Sequence, residues 1–184
     1  MADTQWPTYV VFHQASEGKP HLHAGSVHAP DPDMAMMNAR DVFVRRPSCV
    51  SLWVAPSSAV FARTLEQLAS SDWDQGQRGK RGLLEKYVVF KKNQHAGACS
   101  LYAVVEAESA SNALKILLAG KNAADGLLWW VIRENLITKS NPEDIESMFA
   151  PAAAKPYRDH SDFKTLTLMR RLAEKESKRD SDES

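Results

Sequence analysis

Hydrophobic positions along this chain recur in the same order twice. Tyr9-Val10-Val11-Phe12 returns letter for letter as Tyr87-Val88-Val89-Phe90, an offset of 78, and the same offset carries Val27 onto Val105 and Ala29 onto Ala107. The register continues into a helical stretch. Asp31 fits an N-cap with Pro32 at the first helical position, and the matching residues are Ser109, another good cap, and Ala110. Ala35, Met36 and Ala39 align with Ala113, Leu114 and Leu117; with position 110 the second set recurs at i, i+3, i+4 and i+7, the apolar stripe of an amphipathic helix. One residue is then lost, so that Leu52-Trp53-Val54 meets Trp129-Trp130-Val131 at an offset of 77. Loops absorb such slips.

Each copy therefore reads as strand, strand, helix, strand. The strands are expected near residues 9–13, 21–28 and 50–55, and again near 87–91, 100–106 and 127–132, where β-branched and aromatic residues lie between Gly, Pro, Asn and Asp. The fold class expected is α+β: two tandem β-β-α-β repeats forming a pseudo-dimer, with antiparallel sheets and helices on one face. A copy of about sixty residues is near the lower size limit for independent folding, and two can bury their sheets or edges against each other. The first repeat is assigned to residues 6–69 and the second to 85–165. Between them, residues 70–84 form a linker, since the run from Gly76 to Gly82 has three glycines, three basic residues and no apolar side chain. Residues 174–184 are only charged residues and Ser, a composition expected to stay disordered.

Charge narrows the function classes. Lys plus Arg and Asp plus Glu number 23 each in 184 residues, which removes the basic field that non-specific nucleic-acid binding needs. No apolar run approaches a bilayer span and the first residues lack a signal-peptide pattern, so a cytoplasmic location is expected. Cys49 and Cys99 lie one in each copy and form no CxxC pair, which reads as two free thiols in apolar surroundings.

Motifs for chemistry are scarce. A carboxylate-bridged di-iron site draws on Glu-x-x-His pairs, and the chain contains none. It also lacks the Gly-x-Ser-x-Gly elbow, the P-loop and the Rossmann glycines. Gly76, Gly79 and Gly82 follow nothing strand-like, so they read as linker and not as a phosphate cradle. His21 and His23 alternate on a strand and share one face, with His13 and His28 in the neighbourhood, a pattern that suits a metal half-site. The second copy has Cys99 and Leu101 at the two positions, and a metal needs three or four ligands, which favours surface or interface histidines hydrogen-bonded to their neighbours. Trp53 and Trp130 occupy equivalent core positions. Trp129, adjacent to Trp130, must point to the other face of its strand and is expected to be a partner-facing aromatic.

Several motifs in fixed order carry a family resemblance. Trp6-Pro7-Thr8-Tyr9-Val10-Val11-Phe12, the stretch from His21 to Ala29, Asn38-Ala39-Arg40-Asp41-Val42-Phe43, Arg45-Arg46 and Val50-Ser51-Leu52-Trp53-Val54 resemble the small B subunit of phenylacetyl-CoA epoxidase. The family's tail resembles Met148-Phe149-Ala150-Pro151, Lys155, Tyr157-Arg158 and Phe163, so the likeness runs from Trp6 to about Phe163, interrupted by the linker. The departure is the duplication, and the second copy lacks both the His-x-His and the Ala-Arg-Asp motif. The resemblance implies a non-catalytic accessory subunit without a cofactor of its own. Such a subunit joins the di-iron catalytic subunit to the structural helical subunit of a ring-epoxidising complex, with the reductase subunit as a further partner. Residues expected to contact partners are His21, His23, Arg40, Arg45, Arg46, Trp129, Phe149, Lys155, Tyr157 and Arg158. Two other readings stay open: a stand-alone ferredoxin-like enzyme or aromatic-ligand-binding protein using His21, His23 or His28, and a scaffold subunit of a different ring-oxygenating complex.

Overall fold

The computed structural model describes residues 6–44, 49–70, 72–74, 83–119 and 126–154. Contacts divide the chain into units Met1–Ala153 and Ala154–Ser184, and the architecture below is that of the first.

The duplication is visible element by element. In the first copy β1 (Thr8–Gln14) and β2 (Leu22–His28) lead into α1 (Pro32–Phe43), and β3 (Ser51–Pro56) follows. A 3-10 turn (Ser57–Ala59), β4 (Phe61–Thr64) and the short α2 (Leu65–Leu68) complete it. The second copy repeats the order: β5 (Glu85–Lys92), β6 (Ser100–Ala107), α3 (Ala110–Leu118), β7 (Leu128–Arg133), a 3-10 turn (Glu134–Leu136) and β8 (Thr138–Lys139). Another 3-10 turn (Pro142–Asp144) then enters α4 (Ile145–Ala154). Local details obey the same offset of 78. Register shifts fall between Val11 and Phe12 and between Val89 and Phe90. The Asp31 carboxylate accepts from the Met34 N–H at 2.8 Å, and the Ser109 hydroxyl accepts from the Asn112 N–H at 3.1 Å, so both helices begin by the same capping bond.

All eight strands join one antiparallel sheet in the order β4-β7-β5-β6-β2-β1-β3-β8. The two expected sheets are thus hydrogen-bonded into one, and the join lies on a local two-fold axis. Leu22 faces its own equivalent, Ser100, and the flanking bonds are reciprocal: the His23 N–H donates to the Cys99 carbonyl and the Leu101 N–H to the His21 carbonyl, both at 2.8 Å.

A fourth strand in each copy escaped the sequence reading, and it crosses over. β4 of the first copy pairs with β7 of the second, while β8 of the second pairs with β3 of the first. This exchange dictates the shape of the sheet. Six strand intervals separate β3 from β4 in the sheet order, a distance of about 29 Å were the sheet flat. The link between them runs only from Pro56 to Phe61, a reach of under about 18 Å. Hence the sheet must curl until its ends approach, as β7 and β8 require equally.

Curling creates a core inside the sheet as well as one under each helix. Outside, Tyr9, Val11, Leu52 and Val54 pack with Ala35, Met36 and Ala39 of α1 and with Phe149 of α4. In the second copy Tyr87, Val89, Trp129 and Val131 pack with Ala110, Ala113 and Leu114 of α3. Inside, Val10, Phe12 and Ala55 meet their equivalents Val88, Phe90 and Ile132. The Phe12 and Phe90 rings stack with centroids 3.8 Å apart and planes 13° from parallel, each fully buried. The central stretches of β1, β3, β5 and β7 are therefore buried on both faces, which explains why Tyr-Val-Val-Phe is an unbroken apolar run and not an alternating one.

Phe12→Ala is expected to destabilise the chain by about 3–5 kcal/mol in urea titrations. Because Phe12 and Phe90 share one contact, the double change to Ala should cost measurably less than the sum of the single changes. Gly25 has φ +150°, and a Cβ there would lie 2.6 Å from Cζ of Phe43. Gly25→Ala should cost about 1–3 kcal/mol through backbone strain and displacement of that ring, read as a lowered thermal midpoint.

Candidate functional site

Two regions gather residues singled out from the sequence. The first is the inner face near the two-fold axis. His21, immediately before β2, and His23 within it project to one face, as the alternation of extended backbone requires. His21 is buried, its ring stacked on Trp53 with centroids 3.7 Å apart, and its Nε2 lies 3.0 Å from the Ser51 hydroxyl. His23 is half-buried with its ring 4.7 Å from Trp130 and 5.8 Å from Phe12. The two histidines thus pack on the equivalent tryptophans Trp53 and Trp130, one in each copy.

Burial sets the protonation of this cluster. Removal from water favours the neutral imidazole, and the nearby His13 and Lys139 add to the effect, so His21 is pushed down to about 4. Burial also lowers His23 against the opposing hydrogen bond of the Gly25 backbone, with Lys92 adding to the lowering. Cys99, the counterpart of His21, is pushed up to about 11 by burial, and burial raises the Cys49 thiol as well. Both thiols are therefore poor nucleophiles near neutral pH. His28 sits away from the pair, with Nδ1 3.0 Å from the Trp6 carbonyl and 3.3 Å from the Thr8 hydroxyl. Among the described residues, no group of three or more His, Cys, Asp or Glu side chains could hold a metal ion.

The second region is an open groove of about 420 Å³ on the outer surface of the first copy. α1 contributes Met36, Met37 and Arg40; β8 and its continuation contribute Thr138, Lys139 and Ser140; α4 contributes Met148. Arg40, in the last turn of α1, donates from Nε to Asp41 at 3.3 Å. The helix is anchored beside the groove by Asn38, whose Nδ2 donates to the His28 carbonyl at 3.1 Å. Lys139 pairs with Glu134 at 2.6 Å and lies 4.9 Å over the Trp53 ring. The strand exchange builds this groove, because β8 of the second copy forms its floor beside α1 of the first.

Of the expected contact residues, Arg40 lines the groove and His23 lies half-exposed on the inner face. Trp129 requires correction. It is fully buried under α3, with Tyr102 in edge contact at 5.5 Å and Lys91 5.1 Å over its ring, so it cannot face a partner in this fold. The expectation assumed that only one face of β7 is covered, whereas the helices cover one face and the curled sheet the other. His21 and Phe149 are likewise inside, at 5% and 6% exposure. Arg45, Arg46, Lys155, Tyr157 and Arg158 lie outside the described residues. The groove itself was missed. Its sequence signal is the pair Met36 and Met37, where the second copy has Leu114 and Lys115.

The neutral state of His21 makes a pH prediction. Its folded pKa lies below the ordinary value of 6.5, so the unfolded chain takes up the proton first as pH falls. Stability is then full above pH 6.5 and declines between there and about 4, by on the order of 1–3 kcal/mol. Urea midpoints measured across that range should fall with pH, and His21→Gln should flatten the decline.

Comparison with known proteins gives a consistent result. The family model described as Phenylacetic acid degradation B matches twice, over residues 5–78 and 84–169. The B subunit of the 1,2-phenylacetyl-CoA epoxidase of Escherichia coli (strain K12) is 42% identical over 67 residues, covering 36% of this chain and 70% of that protein. No solved structure matches. Among the described residues, no helix is long and apolar enough to cross a membrane.

Proposed function

Because the chain belongs to the Phenylacetic acid degradation B family and carries its pattern twice, we propose that it is the non-catalytic bridging subunit of a phenylacetyl-CoA epoxidase. In this reading it holds the di-iron catalytic subunit and the structural helical subunit of the complex together and acts in the cytoplasm. The observation that carries the proposal is the two-fold arrangement itself. Two copies of a small-subunit pattern are locked around one inner core, with outward-facing helices α1 and α3 on either side of the axis. Such a body presents two related surfaces at a fixed spacing, which suits holding partners together. A fused pair also replaces a second-order association by an intramolecular one.

The reading of His21, His23 or His28 as a catalytic base finds less support. His21 and His23 are spent on ring packing and His21 also on the Ser51 hydroxyl, while the His28 ring nitrogen is engaged by the backbone of Trp6. A scaffold role in another ring-oxygenating complex differs only in the partner. Co-expression decides between these. The chain should co-elute with the two helical subunits of a phenylacetyl-CoA epoxidase on gel filtration, and alone it should hold no stoichiometric iron and turn over no phenylacetyl-CoA. Iron retained by the isolated chain, or turnover without partners, would overturn the proposal.

Tyr157 and Arg158 join the expected contact set through the family's tail motif. Changing both to Ala is predicted to weaken capture of the helical subunits at least tenfold with the thermal midpoint unchanged. A lowered midpoint with intact capture would instead assign them to folding.

A further inference from the structure

The two copies treat equivalent space differently, and the filled one describes what the open one accepts. In the second copy Phe61 of β4 is buried in the core under α3, and the Arg63 guanidinium lies 4.1 Å over its ring. Arg63 also donates from Nε to the Trp73 carbonyl at 3.0 Å, drawing Trp73 onto that core beside Leu118. Lys115 of α3 lies 5.9 Å over the Trp73 ring and forms an ion pair with Asp74. An aromatic side chain and the carboxylate that follows it thus close the surface between α3 and β4 from within the chain.

Of that closure the first copy keeps one buried ring, Phe149 of α4 in its own core, and lacks the rest. By the offsets of 78 and 77, Thr138 replaces Phe61, Ser140 replaces Arg63, Met37 replaces Lys115 and Ala150 stands where Trp73 would be. Two small hydroxyl side chains in place of a ring and a guanidinium leave the groove of about 420 Å³, within the range of built binding pockets. Its apolar walls are Met36, Met37 and Met148, with Met37 at 47% exposure. Asp33, Lys139, Asn141 and Ser147 complete its polar lining, so a ligand carboxylate must settle on the Arg40 side and away from Asp33. Methionine is flexible and polarisable and favours aromatic rings. Arg40 replaces Leu118 and puts a guanidinium at the rim, where its exposed contact with Asp41 is readily exchanged for a better carboxylate partner.

We propose that this groove between α1 and β8 is a docking site for a partner-protein segment that carries an aromatic side chain followed by a carboxylate. The ring enters between Met36, Met37 and Met148, and the carboxylate pairs with Arg40. The assignment rests on the bridging role only for which protein supplies the segment; the chemistry of the groove follows from the filled copy.

The test uses the full chain with 13C-labelled methionine methyl groups and a synthetic peptide of residues 68–76, which contains Trp73 and Asp74. Since Met36, Met37 and Met148 all belong to the open groove, their methyl signals report on it and not on the filled copy. Saturable ring-current shifts at these three, absent with a peptide in which the tryptophan is replaced by Ala, are expected. Met37→Glu should weaken peptide binding at least tenfold and weaken capture of the co-expressed helical subunit, with the unfolding midpoint unchanged because the position is half-exposed. Methyl signals that stay fixed at saturating peptide would mean that the groove is held by the chain's own residues or accepts no ring, and either overturns the assignment. Equal shifts with the Ala peptide, or undiminished binding by Met37→Glu, overturn it too. Should the peptide bind while no helical subunit does, the bridging role fails and the groove assignment stands.

Discussion

The contact of the two inner sheet faces is what the rest of this structure depends on. Phe12 and Phe90, related by the local two-fold axis, lie face to face, and Val10, Val88, Ala55, Ile132 and Cys99 close around them. Neither copy could present this surface to water without exposing an aromatic ring and several β-branched side chains at once, a loss of several kcal/mol in a chain of this size. The same contact brings the ends of the sheet close enough for β4 and β8 to change places. Packing and strand exchange therefore enforce each other.

Much of this was legible from the repeat. The strands β1, β3, β5 and β7 are apolar on successive residues because both of their faces are covered, and the letter-for-letter recurrence of Tyr-Val-Val-Phe located two of them directly. The helix caps at Asp31 and Ser109 were equally readable, since each is a short-range bond between neighbours in sequence. The fourth strands were not. Phe61-Ala62-Arg63-Thr64 and Thr138-Lys139 are too short to carry a period, and each is a strand only because the other copy offers an edge. Everything built on them was hidden with them, including the groove floor at Thr138 and Ser140. Trp129 went astray for a related reason: the direction of its side chain could be deduced from alternation, but the covering of both faces is a property of the closed assembly.

The histidines show how a pattern suggestive of chemistry resolves into packing. His21 and His23 sit together, as their spacing implied, yet each is paired with a tryptophan of a third strand, and burial favours the neutral form of both. Cys99 and Leu101 stand across the axis at the same two positions. Two imidazoles in one copy and a thiol with an isobutyl group in the other fill comparable volumes against the same kind of surface. A reactive site would not survive such a replacement, whereas a packing role does.

The ends of the sheet, finally, limit how other molecules can engage this protein. β8 is two residues long and β4 four, so the outermost strands offer few unpaired backbone groups to an incoming strand. Recognition by extending the sheet with a foreign peptide is therefore disfavoured, and with it the ladder-like growth that long open edges invite. What remains for recognition is the side chains of the outer helices, where Ala35 and Ala113 are the one identical pair between α1 and α3.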